Sequence, residues 1–147
     1  MNNQKLNEFF VTCFYSILSA EERVMESITN GKLSLKEIHV IDAVFRARLT
    51  GENNFSTIAK VLGVTLGTFT TSFSKLEEKG YLVKEQFPDD KRIYYVEPTR
   101  LAKLINDEHT AFHQKMMQGI IDTVTEKELE TIIAALGKLS EFFSKLS

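Results

Sequence analysis

The chain has 147 residues, 43% hydrophobic and 26% charged, with seven glycines and two prolines; this supplies one ordinary core and excludes disordered and fibrous classes. Its one cysteine, Cys13, excludes an internal disulfide and a Cys-rich zinc centre. The formal net charge of −2 disfavours a polyanion partner for the chain as a whole, so any nucleic-acid surface has to be local.

Only the middle of the chain is net basic: residues 55–95 carry six Lys and Arg against five Asp and Glu. No run approaches the roughly 18 apolar residues of a membrane span, and the opening Met1-Asn2-Asn3-Gln4-Lys5-Leu6-Asn7-Glu8 lacks the charged-then-apolar order of a signal peptide. A cytoplasmic protein without a membrane partner is expected.

Leu6, Phe9, Phe10, Cys13, Phe14, Ile17 and Leu18 recur at helical spacing and predict a first long helix, with Cys13 a small buried hydrophobe in its stripe. A second helix is predicted from Ser34-Leu35-Lys36-Glu37, a capping box in which Ser34 and Glu37 satisfy each other's backbone amides. It carries Leu35, Ile38, Ile41, Val44, Phe45 and Leu49 and ends in the polar run 50–54.

Residues 55–80 then predict two short helices about a tight turn. Ile58, Ala59 and Leu62 share a face, Gly63 suits the left-handed end of a helix, and Val64-Thr65 opens the next. In that next helix Leu66, Phe69, Phe73 and Leu76 point inward, and a step of 100° per residue puts Gly67, Thr68, Thr71, Ser74 and Lys75 outward. Five hydroxyl residues within positions 68–74 are costly on an ordinary solvent face, where Glu, Lys, Arg and Gln hold a helix better. Short hydroxyl side chains instead let a helix approach DNA closely, bond to phosphates and set threonine methyls against thymine methyls in the major groove. These features predict a recognition helix contacting double-stranded DNA.

The β-branched and aromatic stretches Tyr81-Leu82-Val83 and Ile93-Tyr94-Tyr95-Val96 predict a hairpin with a charged tip. Placed straight after a recognition helix, this wing can lay Lys91 and Arg92 along the neighbouring minor groove, with Asp90 positioning the guanidinium. Residues 98–124 predict a long helix, and the capping box Thr125-Glu126-Lys127-Glu128 opens a last one bearing Leu129, Ile132, Ile133, Leu136, Leu139, Phe142, Phe143 and Leu146. These terminal helices carry more apolar face than so small a centre can cover, and a second copy is the economical cover. The expectation is a mainly α fold with a β-hairpin wing, a dimeric winged helix-turn-helix. Residues 34–97 would form the DNA-binding domain, and residues 1–33 with 98–147 the helical dimerisation region.

The stretches Ser34-Leu35-Lys36-Glu37-Ile38-His39-Val40-Ile41-Asp42, Val64-Thr65-Leu66-Gly67-Thr68-Phe69-Thr70-Thr71-Ser72-Phe73 and Leu76-Glu77-Glu78-Lys79-Gly80-Tyr81 resemble the MarR family of bacterial winged-helix regulators, in the branch that represses fatty-acid-synthesis genes of low-GC Gram-positive bacteria. The resemblance covers essentially the whole chain. It implies a repressor, a homodimer with recognition helices in successive major grooves of a palindrome, and long acyl chains on acyl carrier protein as corepressor. The family's Asp-Arg-Arg wing is here Asp90-Lys91-Arg92, and its Leu-Thr with a Gly three residues on is Pro98-Thr99 with Ala102.

Two effector sites are candidates. Phe10, Phe14, Phe45, Phe112 and Met116 suit an apolar pocket, although core packing accounts for them equally well. Glu108, His109 and His113 bear a histidine pair at i, i+4 that suits Zn²⁺, as in MarR relatives that control zinc uptake, with Glu108 near the middle of the apolar stripe, a costly place for an unpaired carboxylate. His39, Glu21 and Cys13 are further possible ligands. No Ser-His-Asp order, phosphate loop or carboxylate pair suggests an enzyme, and no cofactor is expected. A helical interaction module without DNA binding would explain the apolar helices but not the hydroxyl ridge followed by a basic hairpin.

Overall fold

The computed structural model describes residues 2–146. Among them the order is α1 (Asn3–Thr29), α2 (Leu35–Leu49), α3 (Phe55–Leu62), α4 (Leu66–Glu78), β1 (Leu82–Gln86), β2 (Tyr94–Pro98), α5 (Arg100–Thr123) and α6 (Glu126–Ser144). Side-chain caps start three of these helices where the sequence predicts. Ser34 and Glu37 close a complete capping box on α2, Thr125 and Glu128 close another on α6, and Thr65 accepts from the Thr68 amide to start α4. Gly63 ends α3 at φ +68°, a conformation that strains any residue with a Cβ, and so turns the chain from α3 into α4.

The described residues form two compact units, the first ending at Thr110 and the second beginning at Ala111. In the first, Ile38, Ile41 and Val44 of α2, Ile58 of α3, and Phe69, Phe73 and Leu76 of α4 build the core with Leu82 and Val96 of the hairpin, Met25 of α1 and Ala102 of α5. The Phe55 ring lies 5.3 Å from that of Phe69 and 4.9 Å from that of Phe73, so aromatic packing locks α3 to the underside of α4. Lys79 Nζ donates to both Glu37 carboxylate oxygens, at 3.0 and 2.9 Å, and to the Lys32 carbonyl, tying the end of α4 to the start of α2. Partial burial raises the Glu37 pKa, but Lys79 and the Ser34 bonds outweigh it and hold the carboxyl below its ordinary value.

The hairpin is antiparallel, with Lys84 opposite Val96 and Gln86 opposite Tyr94. In the second unit, the end of α5 and all of α6 expose Ile120, Ile121, Ile133, Leu136, Phe142 and Phe143.

Three sequence expectations are corrected. Cys13 is exposed, because the whole stripe of Leu6, Phe9, Phe10, Phe14 and Ile17 lies uncovered on the first half of α1. Leu66 is 51% exposed, because it opens α4 ahead of the point where the helix meets the core. Glu108 is exposed, because His109 takes the buried direction and the neighbouring position is rotated about 100° away.

Candidate functional site

Beyond Leu66, the two faces of α4 divide as the spacing predicts. Phe69, Phe73 and Leu76 are at most 2% exposed, whereas Gly67, Thr68, Thr71, Ser74 and Lys75 are all exposed. The hydroxyls are not idle. Thr71 Oγ1 donates to the Gly67 carbonyl at 3.1 Å, Thr70 Oγ1 to Leu66 at 2.9 Å and Ser74 Oγ to Thr70 at 3.0 Å. With those protons committed to the helix's own backbone, the ridge offers outward lone pairs and threonine methyls. That pattern complements the exocyclic amino groups of adenine and cytosine and the thymine methyl in a major groove, while Lys75 remains as a donor.

The wing stands beside this ridge, and its orientation is fixed at its base. Asn53 is buried; its Nδ2 donates to the Val96 carbonyl at 2.9 Å and to Glu97 Oε1 at 3.1 Å, and its own carbonyl accepts from the Val96 amide at 2.8 Å. Arg48 of α2 pairs with Glu97 Oε2 at 2.9 Å. Sequence reasoning missed this anchor, because a lone Asn in a polar loop gives no sign of a partner 43 residues away.

At the tip, Arg92 donates through Nε and Nη2 to the two oxygens of Asp90, each at 3.0 Å, and through its backbone amide to Oδ1. The two-point bond holds the Asp90 carboxyl below its usual range and raises the guanidinium further. Arg92 and Lys91 are exposed, so the pair presents an oriented guanidinium at the surface.

Of the metal candidates, the structure places His109 with Glu21 and His39. Glu21 Oε1 accepts from His39 Nε2 at 2.9 Å and from His109 Nε2 at 2.5 Å, and one ligand atom from each residue lies within 4.8 Å of the others. Glu21 and His109 are buried and His39 is half-buried. His113 is half-buried in the second unit. His39 also lines a crevice with Thr68 and Ser72 of α4, so the cluster abuts the hydroxyl-bearing helix. Of the apolar-pocket candidates, Phe10 and Phe14 are exposed on α1 and Phe45 packs against the core, while Phe112 and Met116 are half-buried in the second unit.

A MarR family model matches residues 41–94, the segment from α2 to the wing. FabT of Streptococcus pneumoniae, solved in complex with DNA, is 32% identical with a TM-score of 0.89, and the likeness covers 99% of this chain and all of that one. The HTH-type transcriptional regulator YhjH of Bacillus subtilis is 30% identical over 122 residues, 78% of this chain and 66% of its own length. The transcriptional regulator AdcR of Streptococcus pyogenes is 28% identical over 104 residues, 69% of this chain and 68% of its own. The chain thus spans about two thirds of the length of these two curated relatives.

Proposed function

The chain belongs to the MarR family of transcriptional regulators, and on that premise we propose that it binds double-stranded DNA in the cytoplasm as a homodimer, without enzymatic activity, and represses transcription from a palindromic operator. Residues 34–97 supply the reading head and the terminal helices the dimer contact. The observation that carries the reading is the exposed ridge of Gly67, Thr68, Thr71, Ser74 and Lys75 above a fully buried Phe69, beside a wing tip whose Arg92 is held by Asp90. The ridge would enter the major groove and Arg92, with Lys91, the adjacent minor groove. The uncovered apolar stripes of α1 and α6 support pairing with a second copy.

The test is a gel shift with the DNA upstream of the chain's own gene, repeated from about 50 to 200 mM salt, where a DNA reader weakens steeply as counterions compete. Arg92→Ala is expected to weaken operator and random DNA alike, since minor-groove insertion reads charge and width more than base identity. The absence of any shift at low salt would leave a helical interaction module.

The resemblance favours long-chain acyl carrier protein as the effector. A second reading, control by Zn²⁺, is favoured by the convergence of Glu21, His39 and His109, two nitrogens and a carboxylate of the kind an open zinc site uses. Zinc would need each ligating Nε2 without its proton, so the proton would move to Nδ1. Thermal unfolding with Zn²⁺, with chelator and with long-chain acyl carrier protein separates these readings. A zinc site predicts stabilisation by about 2.7 kcal/mol at a hundredfold excess over Kd, abolished in Glu21→Gln; a response to the acyl protein alone rejects zinc.

A further inference from the structure

Between α3, α4 and the wing lies a cleft of about 540 Å³, and Thr70, Lys84, Arg92 and Tyr94 are among its lining. Its lining side chains include no carboxylate. Arg92 is already committed to Asp90, so Lys84 is the cation the cleft itself contributes. The strand register explains where it stands: Lys84 pairs with Val96 and Gln86 with Tyr94, so Lys84 and Tyr94 are diagonal neighbours on one face. On that face Leu82 and Val96 are buried in the core, and the next residues toward the tip are this lysine and this tyrosine. Lys84 Nζ sits 5.1 Å from the centre of the Tyr94 ring, which holds the ammonium over the cleft without neutralising it. Leu66, the residue expected inside, forms part of the opposite wall with Phe55.

We propose that this cleft is a phosphate seat for the DNA strand that separates the major groove read by α4 from the minor groove reached by the wing, with Lys84 as its cation. The inference rests on the DNA-binding reading above. If α4 and the wing tip occupy neighbouring grooves, one sugar-phosphate strand has to pass between them, and the cleft occupies that place. Its apolar wall of Phe55, Leu66 and Ile93 suits a deoxyribose, and its ammonium suits the phosphate. The contact is independent of base sequence, so it sets affinity and register.

The test is fluorescence anisotropy of the full chain on a random-sequence 30-base-pair duplex over a salt series. Lys84→Gln is expected to lower affinity several-fold and to flatten the slope of log K against log salt by about 1.8, the value of two phosphate contacts, one from each protomer of the dimer. Lys84→Arg is expected to keep the slope. Lys103→Gln, which removes an exposed lysine that pairs with Asp107 on α5, is expected to match the wild type. A Lys84→Gln slope equal to that of a salt-steep wild type overturns the seat and leaves DNA binding standing. A wild type that binds no DNA at low salt overturns both.

Discussion

Phe69→Ala is expected to lower the free energy of unfolding by about 3–5 kcal/mol, the range for removing a large aromatic side chain from a packed core. Phe69 is fully buried, its ring 5.3 Å from Phe55 and 6.4 Å from Phe73, and none of these neighbours can fill the space without leaving its own contacts. Against a total stability of about 5–15 kcal/mol this is a large fraction. The ring is also what supports the ridge from beneath, so binding to any DNA should fall with stability. Urea unfolding at pH 7 measures the first effect. Thr70→Ala, exposed on the same helix, is the control and should stay within about 0.5 kcal/mol. A cost below about 1 kcal/mol for Phe69→Ala would mean that α4 is not held by this cluster.

Glu21→Ala is expected to have the second largest effect on stability, about 1–3 kcal/mol, the cost of withdrawing the acceptor from a buried donor. One oxygen of Glu21 joins three helices: it belongs to α1 and accepts from His39 of α2 and His109 of α5, residues 18 and 88 positions away. Removing the carboxylate takes this acceptor from the buried His109 and unfastens α1 and α5 from α2 together. Glu21→Gln keeps an amide oxygen that can accept, so a smaller loss is expected. Urea unfolding of both variants, each in chelator, checks the order. Equal stability of Glu21→Ala and wild type would show that the cluster is not a fastening.

The elements that local chemistry dictates were legible in the sequence. The capping boxes of Ser34 and Thr125, the left-handed Gly63 and the inward spacing of Phe69, Phe73 and Leu76 each depend on residues within four positions of one another, so spacing alone reveals them. The Asp90–Arg92 pair is legible for the same reason. The Asn53 anchor and the Glu21–His39–His109 cluster depend on long-range approach, which periodicity does not encode. The histidine spacing points to His113 and Glu108, whereas the partners the structure supplies to His109 come from α1 and α2. Lys84 was legible in principle, since strand alternation puts it on the face of Leu82, but its value depends on a cleft that exists only once α4 and the wing are in place.

Sequence-specific binding by this chain requires the ridge of α4 to touch base edges. The direct measurement is the ratio of affinities for an operator, selected by the wild type from random duplexes, and a scrambled duplex, taken for the wild type and for the Thr68→Ala, Thr71→Ala double variant. Loss of these methyl and hydroxyl contacts from both protomers is expected to lower that ratio at least tenfold, about 1.4 kcal/mol of discrimination or more, with the affinity for scrambled DNA unchanged and the unfolding midpoint not lowered, since alanine holds a helix better than threonine. A double variant that keeps the full ratio would contradict the assignment of this ridge as the reading surface.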